Sequence, residues 1–249
     1  MHVVIPEEAV ILVGGLGTRL GNLTQDKPKP MVPIGSRPFL EYVIVQLKNQ
    51  GIKRFILATA YKPGVVEEYF GDGKKWGVEI LFSNPGGRQL GTAGSIKFAQ
   101  DQIRGDHFFV LNGDVYFDID CGKLWDAHQK NNAVATLALA EVSDVGRYGC
   151  VSLGEAGLIR GFLEKRNAPG TEGGLVNGGI YIFKREILDL VPGNEDFSLE
   201  RDIFPKLAGS SLYGVPFPKA YFIDIGILED YERAFKELPK MPLFLDILK

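Results

Sequence analysis

The sequence predicts an α/β protein built on a mostly parallel, mixed sheet flanked by helices. Short apolar runs recur at Val10-Ile11-Leu12-Val13, Phe55-Ile56-Leu57-Ala58 and Phe108-Phe109-Val110-Leu111. Each has strand length and is apolar throughout, as strands buried on both faces are. Segments with helical periodicity lie between them. A strand–helix–strand–helix–strand rhythm means crossover connections, and crossovers give parallel pairing.

Each element has its own signal. Pro38 opens a helix, Leu40, Val43, Ile44 and Leu47 fall on one helical face, and Gly51 stands where a C-terminal cap belongs. Further helices are expected over Pro63–Phe70 and over about 92–102. After about residue 132 the texture changes to strands with short connections, over 134–142, 149–153, 158–162, 179–183 and 221–225. Ser198 caps a helix that runs to about 207, and 228–238 is a final amphipathic helix. There is no internal repeat and no low-complexity linker, so 1–249 reads as a single domain with halves at about 8–132 and about 133–238.

Composition narrows the function classes. The chain has 249 residues, 45% of them hydrophobic, enough for one sizeable core. The formal net charge of -3 argues against nucleic acid as a partner. Two cysteines, Cys121 and Cys150, make no disulfide framework, so reduced thiols are expected. No apolar run reaches ~18 residues, so no membrane span is expected. The first residues lack a basic segment followed by an apolar one, so no signal peptide is expected and the expected location is cytoplasmic. The tail, 239–249, is apolar and packs back on the body or against a partner subunit, which leaves a homo-oligomer open.

The segment Gly14-Gly15-Leu16-Gly17-Thr18-Arg19-Leu20 directly follows a buried strand. Glycines there let backbone N–H groups approach an anion. It is no P-loop, because no Gly-Lys-Ser/Thr tripeptide occurs, and no dinucleotide fingerprint, because Leu20 stands where the third glycine belongs. What remains is a glycine loop with an arginine, whose planar fork suits phosphate. Soon after comes Asp26-Lys27-Pro28-Lys29-Pro30-Met31-Val32-Pro33. Its prolines stiffen the segment and fix a lysine in place as a point charge. Asp114 and Asp224 each follow an apolar strand, and ligands of open α/β sheets bind outside the carboxyl ends of the strands. Two such carboxylates suit a hard cation such as Mg²⁺. His2 is terminal, and His107 and His128 flank expected elements, so all three are expected to be solvated.

Together these segments resemble the sugar nucleotidylyltransferases, which carry Gly-Gly-x-Gly-Thr-Arg-Leu and then a Pro-Lys-Pro segment. The likeness continues through Leu90-Gly91-Thr92-Ala93-Gly94-Ser95, Leu111-Asn112-Gly113-Asp114, Phe162-Leu163-Glu164-Lys165, Val176-Asn177-Gly178-Gly179-Ile180-Tyr181 and Phe222-Ile223-Asp224-Ile225-Gly226, in the family's order. It implies a Rossmann-like nucleotide-diphospho-sugar transferase fold, with an N-terminal nucleotide half and a β-richer sugar half. It implies that a nucleoside triphosphate and a sugar 1-phosphate are joined with release of pyrophosphate. It further implies a nucleotide site at Leu12, Gly14, Gly15, Gly17, Thr18, Gly91, Thr92, Asn112 and Gly113. Arg19, Lys29 and Asp114 are the implied catalytic residues, and Asp114 and Asp224 the implied Mg²⁺ ligands. The sugar phosphate falls to Tyr148, Gly149, Glu164, Lys165, Asn177 and Gly178.

Arg147-Tyr148-Gly149-Cys150-Val151, the Asn-Gly-Gly-Ile-Tyr loop and Phe197-Ser198-Leu199-Glu200 most resemble the D-glycero-α-D-manno-heptose 1-phosphate guanylyltransferases. That group has an acidic residue and a proline before Leu-Gly-Thr, where this chain has Arg88-Gln89. Mannose-1-phosphate guanylyltransferase and glucose-1-phosphate thymidylyl- or uridylyltransferase activities therefore stay open at this point. So does a regulatory subunit that binds a nucleotide sugar without making it, although such relatives lose the loop arginine, the lysine or a carboxylate that this chain keeps.

Overall fold

In the computed structural model, which describes residues 4–145, 150–163, 172–193 and 195–245, the elements run as follows. First come β1 (Glu8–Val13), a two-stranded ribbon of β2 (Pro33–Ile34) and β3 (Arg37–Pro38), α1 (Phe39–Asn49), β4 (Arg54–Thr59), α2 (Pro63–Phe70) and β5 (Glu79–Ser83). Next are α3 (Gly91–Phe98), β6 (His107–Asn112), β7 (Val115–Phe117), α4 (Cys121–Lys130), β8 (Ala135–Asp144), β9 (Cys150–Leu153), β10 (Ile159–Leu163) and β11 (Glu172–Lys184). The chain continues through α5 (Phe204–Leu207), β12 (Leu212–Phe217), β13 (Phe222–Asp224), α6 (Leu228–Glu237) and α7 (Pro242–Leu245). The architecture is α/β, with a mixed parallel and antiparallel sheet flanked by helices. Two compact units form, each drawn from separated stretches of sequence.

One unit comprises Glu7–Gln89, Leu111–Tyr116 and Ile223–Lys249. Here β1 pairs parallel with β4, and β4 parallel with β5, so α1 and α2 are the crossovers. Every residue of β4 is buried, as its continuous apolar run requires. Register aligns Glu8, Arg54 and Glu79 across the three strands, and the Arg54 guanidinium pairs with Glu8 and, at 3.2 Å, with Glu79. The first nine residues of α1 are all buried, where the periodicity implied only one apolar face. Its Glu41 carboxylate is met by Arg37 and by the Tyr69 hydroxyl, which donates at 2.5 Å. Strand β5 escaped the sequence reading because it is five residues long and crowded by Gly77 and Pro85. The tail docks on this unit through Phe244, whose ring lies 4.7 Å from that of Tyr42 and 5.8 Å from that of Tyr116.

The other unit comprises Met1–Pro6, Leu90–Val110 and Phe117–Phe222. Its centre is β8, paired antiparallel with β11 and parallel with β12. Strands β9 and β10 pair antiparallel, and β9 joins β11 at Cys150 and Val176. The rings of Phe108, Phe183, Tyr181 and Phe204 pack edge to face through this core, at 5.5–6.3 Å for the pairs Phe108–Phe183, Tyr181–Phe204 and Phe183–Phe204. Two elements were not foreseen. Helix α4 is announced by the Asp120 cap, whose carboxylate accepts from Lys123 N at 3.1 Å. Strand β12 contains Pro216, which is exposed and tolerated because a proline removes one ladder donor only. Cys121 is buried, which pushes its thiol up to about 12, and neither it nor Cys150 forms a disulfide. Among the described residues no helix is long and apolar enough to cross a membrane.

The expectation of solvated histidines fails for His128, which is 1% exposed. Its Nδ1 lies 2.8 Å from the Thr136 hydroxyl and its Nε2 lies 3.0 Å from His107 Nδ1, while the Trp125 ring stacks on it. Helix α4 is thereby pinned to β8 through buried polar groups that are satisfied only in this geometry. Burial, with His107 and Lys184 nearby, pushes His128 down to about 4. A depressed histidine stabilises the fold fully above its unfolded value of about 6.5 and loses that contribution as pH falls toward 4. The His128 ring resonance should therefore titrate near pH 4, and the chain should lose about 2 kcal/mol between pH 7 and pH 5 from this group. Urea unfolding at the two pH values, with His128→Gln removing most of the difference, checks this.

Candidate active site

The site is built around the end of β1. The chain leaves β1 into Gly14 and Gly15, and Gly17 takes a left-handed conformation, φ 63°, before a short 3-10 turn over Thr18–Thr24. A side chain at Gly17 would be strained by that φ, and its Cβ would lie 2.8 Å from Thr24 Cγ2 and 2.9 Å from Lys29 Cβ. The loop is closed by Thr24, whose hydroxyl donates to Gly17 O at 3.0 Å. Thr18 and Arg19 open the turn and are exposed, while Leu12, Gly14 and Gly17 are half-buried. Among the described residues the Arg19 guanidinium has no ion-pair or hydrogen-bond partner, so its donors face solvent.

The Lys-Pro segment is tied to this loop. Lys29 N donates to Gly15 O at 3.1 Å, Pro28 is extended, and a single 3-10 turn covers Lys29–Met31. Prolines on both sides of Lys29 fix φ at each and leave few conformations for the lysine backbone. Its ammonium pairs with Asp114 and lies 3.9 Å from Asp224 Oδ1. The Lys29 side chain is 14% exposed, and those of Asp114 and Asp224 are 27% and 29% exposed, so salt screens this cluster less than a surface pair. The backbone holds the carboxylates in place. Gly113 N donates to Leu12 O at 2.9 Å, and Ile225 N donates to Asp114 O at 3.1 Å.

The candidate residues Leu12, Gly14, Gly15, Gly17, Thr18, Arg19, Lys29, Gly113, Asp114 and Asp224 thus belong to one unit, and direct contacts join its glycine loop, lysine and carboxylates. Asn112 is half-buried at the end of β6. Asp114 and Asp224 converge on one ammonium, so both reach a common point, and their oxygens suit a hard divalent cation. Among the described residues no group of three or more His, Cys, Asp or Glu gathers around a metal position. A cation here would take its other ligands from water and from phosphate oxygens, as Mg²⁺ commonly does.

The other unit holds the remaining candidates. Gly91 and Thr92 open α3, and the Thr92 hydroxyl donates to Glu200 at 3.1 Å and accepts from Leu199 N at 2.8 Å. Both ends of the Asn177 amide are engaged within β11, its Nδ2 donating to the Tyr181 hydroxyl at 2.9 Å and its Oδ1 accepting from Gly179 N at 3.0 Å. One further amide hydrogen and one oxygen lone pair remain for a ligand. Gly178 is buried, and a Cβ there would sit 2.5 Å from the Phe117 ring. Tyr148, Gly149, Glu164 and Lys165 lie outside the described residues. Sequence reasoning did not pair Glu200 with Thr92, because a contact across more than a hundred positions leaves no local signal.

Gly17→Ala should destabilise its unit by about 1–3 kcal/mol, since the new methyl must push Thr24 or Lys29 aside in a strained backbone. Denaturant unfolding measures this, and an unchanged midpoint would mean the loop is softer than its contacts indicate.

The profile of the nucleotidyl transferase family matches residues 8–241. The D-glycero-α-D-manno-heptose 1-phosphate guanylyltransferase of Campylobacter jejuni is 42% identical over 224 residues, 90% of this chain and 96% of that one. The mannose-1-phosphate guanylyltransferase of Mycobacterium tuberculosis is 39% identical over 234 residues, which cover 93% of this chain but only 64% of that protein's length. Among solved structures, HddC from Yersinia pseudotuberculosis superposes with a TM-score of 0.81 at 35% identity, over 92% of this chain and 98% of HddC, and a further structure of HddC is complexed with GMP-PN. A glycine loop, a clamped lysine and two strand-end carboxylates thus occur together in a sequence matched by the family profile almost from end to end: the chain belongs to the nucleotidyl transferase family.

Proposed function

We propose that this protein transfers a guanylyl group from GTP to D-glycero-α-D-manno-heptose 1-phosphate, giving the GDP-sugar and pyrophosphate. The observation that carries the reading is the ammonium of Lys29 held beside Asp114 and Asp224 at the mouth of a glycine loop. The guanylyl part is supported by the relatives and by HddC with its GMP-PN complex. The heptose part is supported by a match that spans nearly the whole heptose relative, whereas the mannose relative has over a third of its length unmatched. Mannose 1-phosphate is the competing acceptor.

An oxygen of the sugar phosphate attacks the α-phosphorus of the triphosphate. A new phosphorus–oxygen bond forms, the bond from the α-phosphorus to the α–β bridging oxygen breaks, and pyrophosphate leaves with the electron pair. The attacking oxygen is already anionic, so no general base is required, and the protein's task is alignment and charge neutralisation. The loop from Gly14 to Thr18 offers backbone N–H groups to the phosphates. The residues assigned to the nucleoside are Leu12, Asn112 and Gly113 of the one unit and Gly91 and Thr92 of the other. Arg19, with all its donors facing solvent, grips the departing pyrophosphate. Lys29 carries its charge to the phosphates as negative charge shifts onto the leaving group. Asp114 and Asp224 hold Mg²⁺, which when bound neutralises phosphate oxygens. Tyr148, Gly149, Glu164, Lys165, Asn177 and Gly178 receive the sugar phosphate.

The test is pyrophosphate release from each of four nucleoside triphosphates paired with heptose, mannose and glucose 1-phosphates. GTP with the heptose should give the highest kcat/KM, and activity should stop with chelator and return with Mg²⁺. A higher kcat/KM for UTP or dTTP would overturn the guanylyl assignment, and a preference for mannose 1-phosphate would overturn the heptose one. Arg19 is exposed, so Arg19→Ala should leave the fold intact and lower kcat by about a hundredfold. An unchanged kcat would remove Arg19 from the chemistry.

A further inference from the structure

Helix α3 starts without a capping side chain. Its N-cap is Leu90, which makes no side-chain cap bond, yet the first N–H groups of a helix need acceptors. The segment 195–200, about a hundred residues later, supplies them. Phe197 O accepts from Ala93 N at 2.8 Å and from Gly94 N at 3.2 Å, and Phe197 N donates to Leu90 O at 3.0 Å. The approach is so close that a Cβ on Gly91, whose φ is +65°, would lie 2.5 Å from Phe197 O. The backbone of the Gly91-Thr92 loop is therefore set by backbone.

The Thr92 side chain is set differently. Its hydroxyl accepts from Leu199 N at 2.8 Å and donates to Glu200 Oε2 at 3.1 Å. The same carboxylate oxygen accepts from the Ser198 hydroxyl at 2.9 Å. Ser198 in turn caps the π-helical turn Leu199–Ile203, its Oγ accepting from Arg201 N at 3.2 Å, while its own N–H donates to Asp202 Oδ2 at 2.8 Å. Single π turns often sit at functional sites. Glu200 is exposed, so its carboxylate contributes little to holding the fold together. Together with Leu199 N, it holds the Thr92 hydroxyl in one orientation.

We propose that Glu200 is a positioning residue for the nucleotide: it orients Thr92 and so sets how tightly the Gly91-Thr92 loop holds the triphosphate substrate. The inference rests on the reading of that loop as part of the nucleotide site. Ser198 holds the carboxylate in place, and the sugar phosphate is not involved.

Calorimetric binding of the triphosphate that the wild type uses best, without acceptor, tests it. Glu200→Ala should weaken nucleotide binding about fivefold and raise the nucleotide KM in parallel, while kcat, the acceptor KM and the melting temperature stay close to wild type. Glu200→Gln keeps an acceptor oxygen for Thr92 and should recover most of the affinity. Thr92→Val combined with Glu200→Ala should bind no worse than Thr92→Val alone. Unchanged nucleotide affinity in Glu200→Ala overturns the proposal, as does a deficit in the acceptor KM instead, or an equal deficit in Glu200→Gln. A wild type that binds the triphosphate and transfers nothing overturns the transferase reading alone, since the binding shift is still measured.

Discussion

An ammonium held between two carboxylates is the constraint around which the unit of the glycine loop is arranged. Lys29 reaches Asp114 and Asp224 because its backbone is tied to Gly15, because prolines on both sides limit where it can go, and because Gly17 leaves room for its Cβ. With two carboxylates and one ammonium, the cluster carries one surplus negative charge. Partly buried, it attracts a further cation more strongly than the same groups would at the surface. Removing the lysine would leave two acids facing each other without a counter-charge, and removing one acid would leave a neutral pair. The three side chains act as one electrostatic object, so their substitutions should not be additive.

The other unit uses backbone for the same purpose. The Gly91-Thr92 loop owes its shape to the carbonyl and amide of Phe197 and to the Ser95 hydroxyl, which donates to Gly91 O at 2.7 Å, while the Thr92 hydroxyl is held by Leu199 N and Glu200. One loop is thus fixed by charge and proline stiffness, the other by close main-chain approach at a glycine. Ionic strength acts on the first arrangement far more than on the second.

Much of this was legible in the sequence. The three apolar runs became β1, β4 and β6, and the helix over Pro63–Phe70 was found with its ends. Signals of this kind are local: an apolar run of strand length, a proline at a helix start, a serine cap. What escaped was carried by pairing. β5 and β12 are short edge-like segments whose strand character comes from a neighbour, β4 for one and β8 for the other. β11 is far longer than its apolar stretch because it runs on alongside β8 through glycines that predict no strand. For the site, residue types and order marked Lys29, Asp114 and Asp224, but only the fold brings them to one point. His128 reads as a polar residue near a helix end, and nothing in its neighbours announces that Thr136 and His107 will enclose it.

The unit that holds Lys29 and Asp114 is threaded from three separate stretches, and its last stretch begins at Ile223. During synthesis the glycine loop, α1, α2 and three parallel strands emerge early, but the partner carboxylate Asp224 and the helix α6 follow more than a hundred residues after Asp114. Tyr231 on α6 anchors its hydroxyl to Pro33 O at 2.8 Å, so the last part made closes on one of the first. A ribosome-bound chain therefore carries that unit unfinished while the other unit is translated in between. The charge cluster of Lys29, Asp114 and Asp224 can therefore be completed only after nearly the whole chain has emerged.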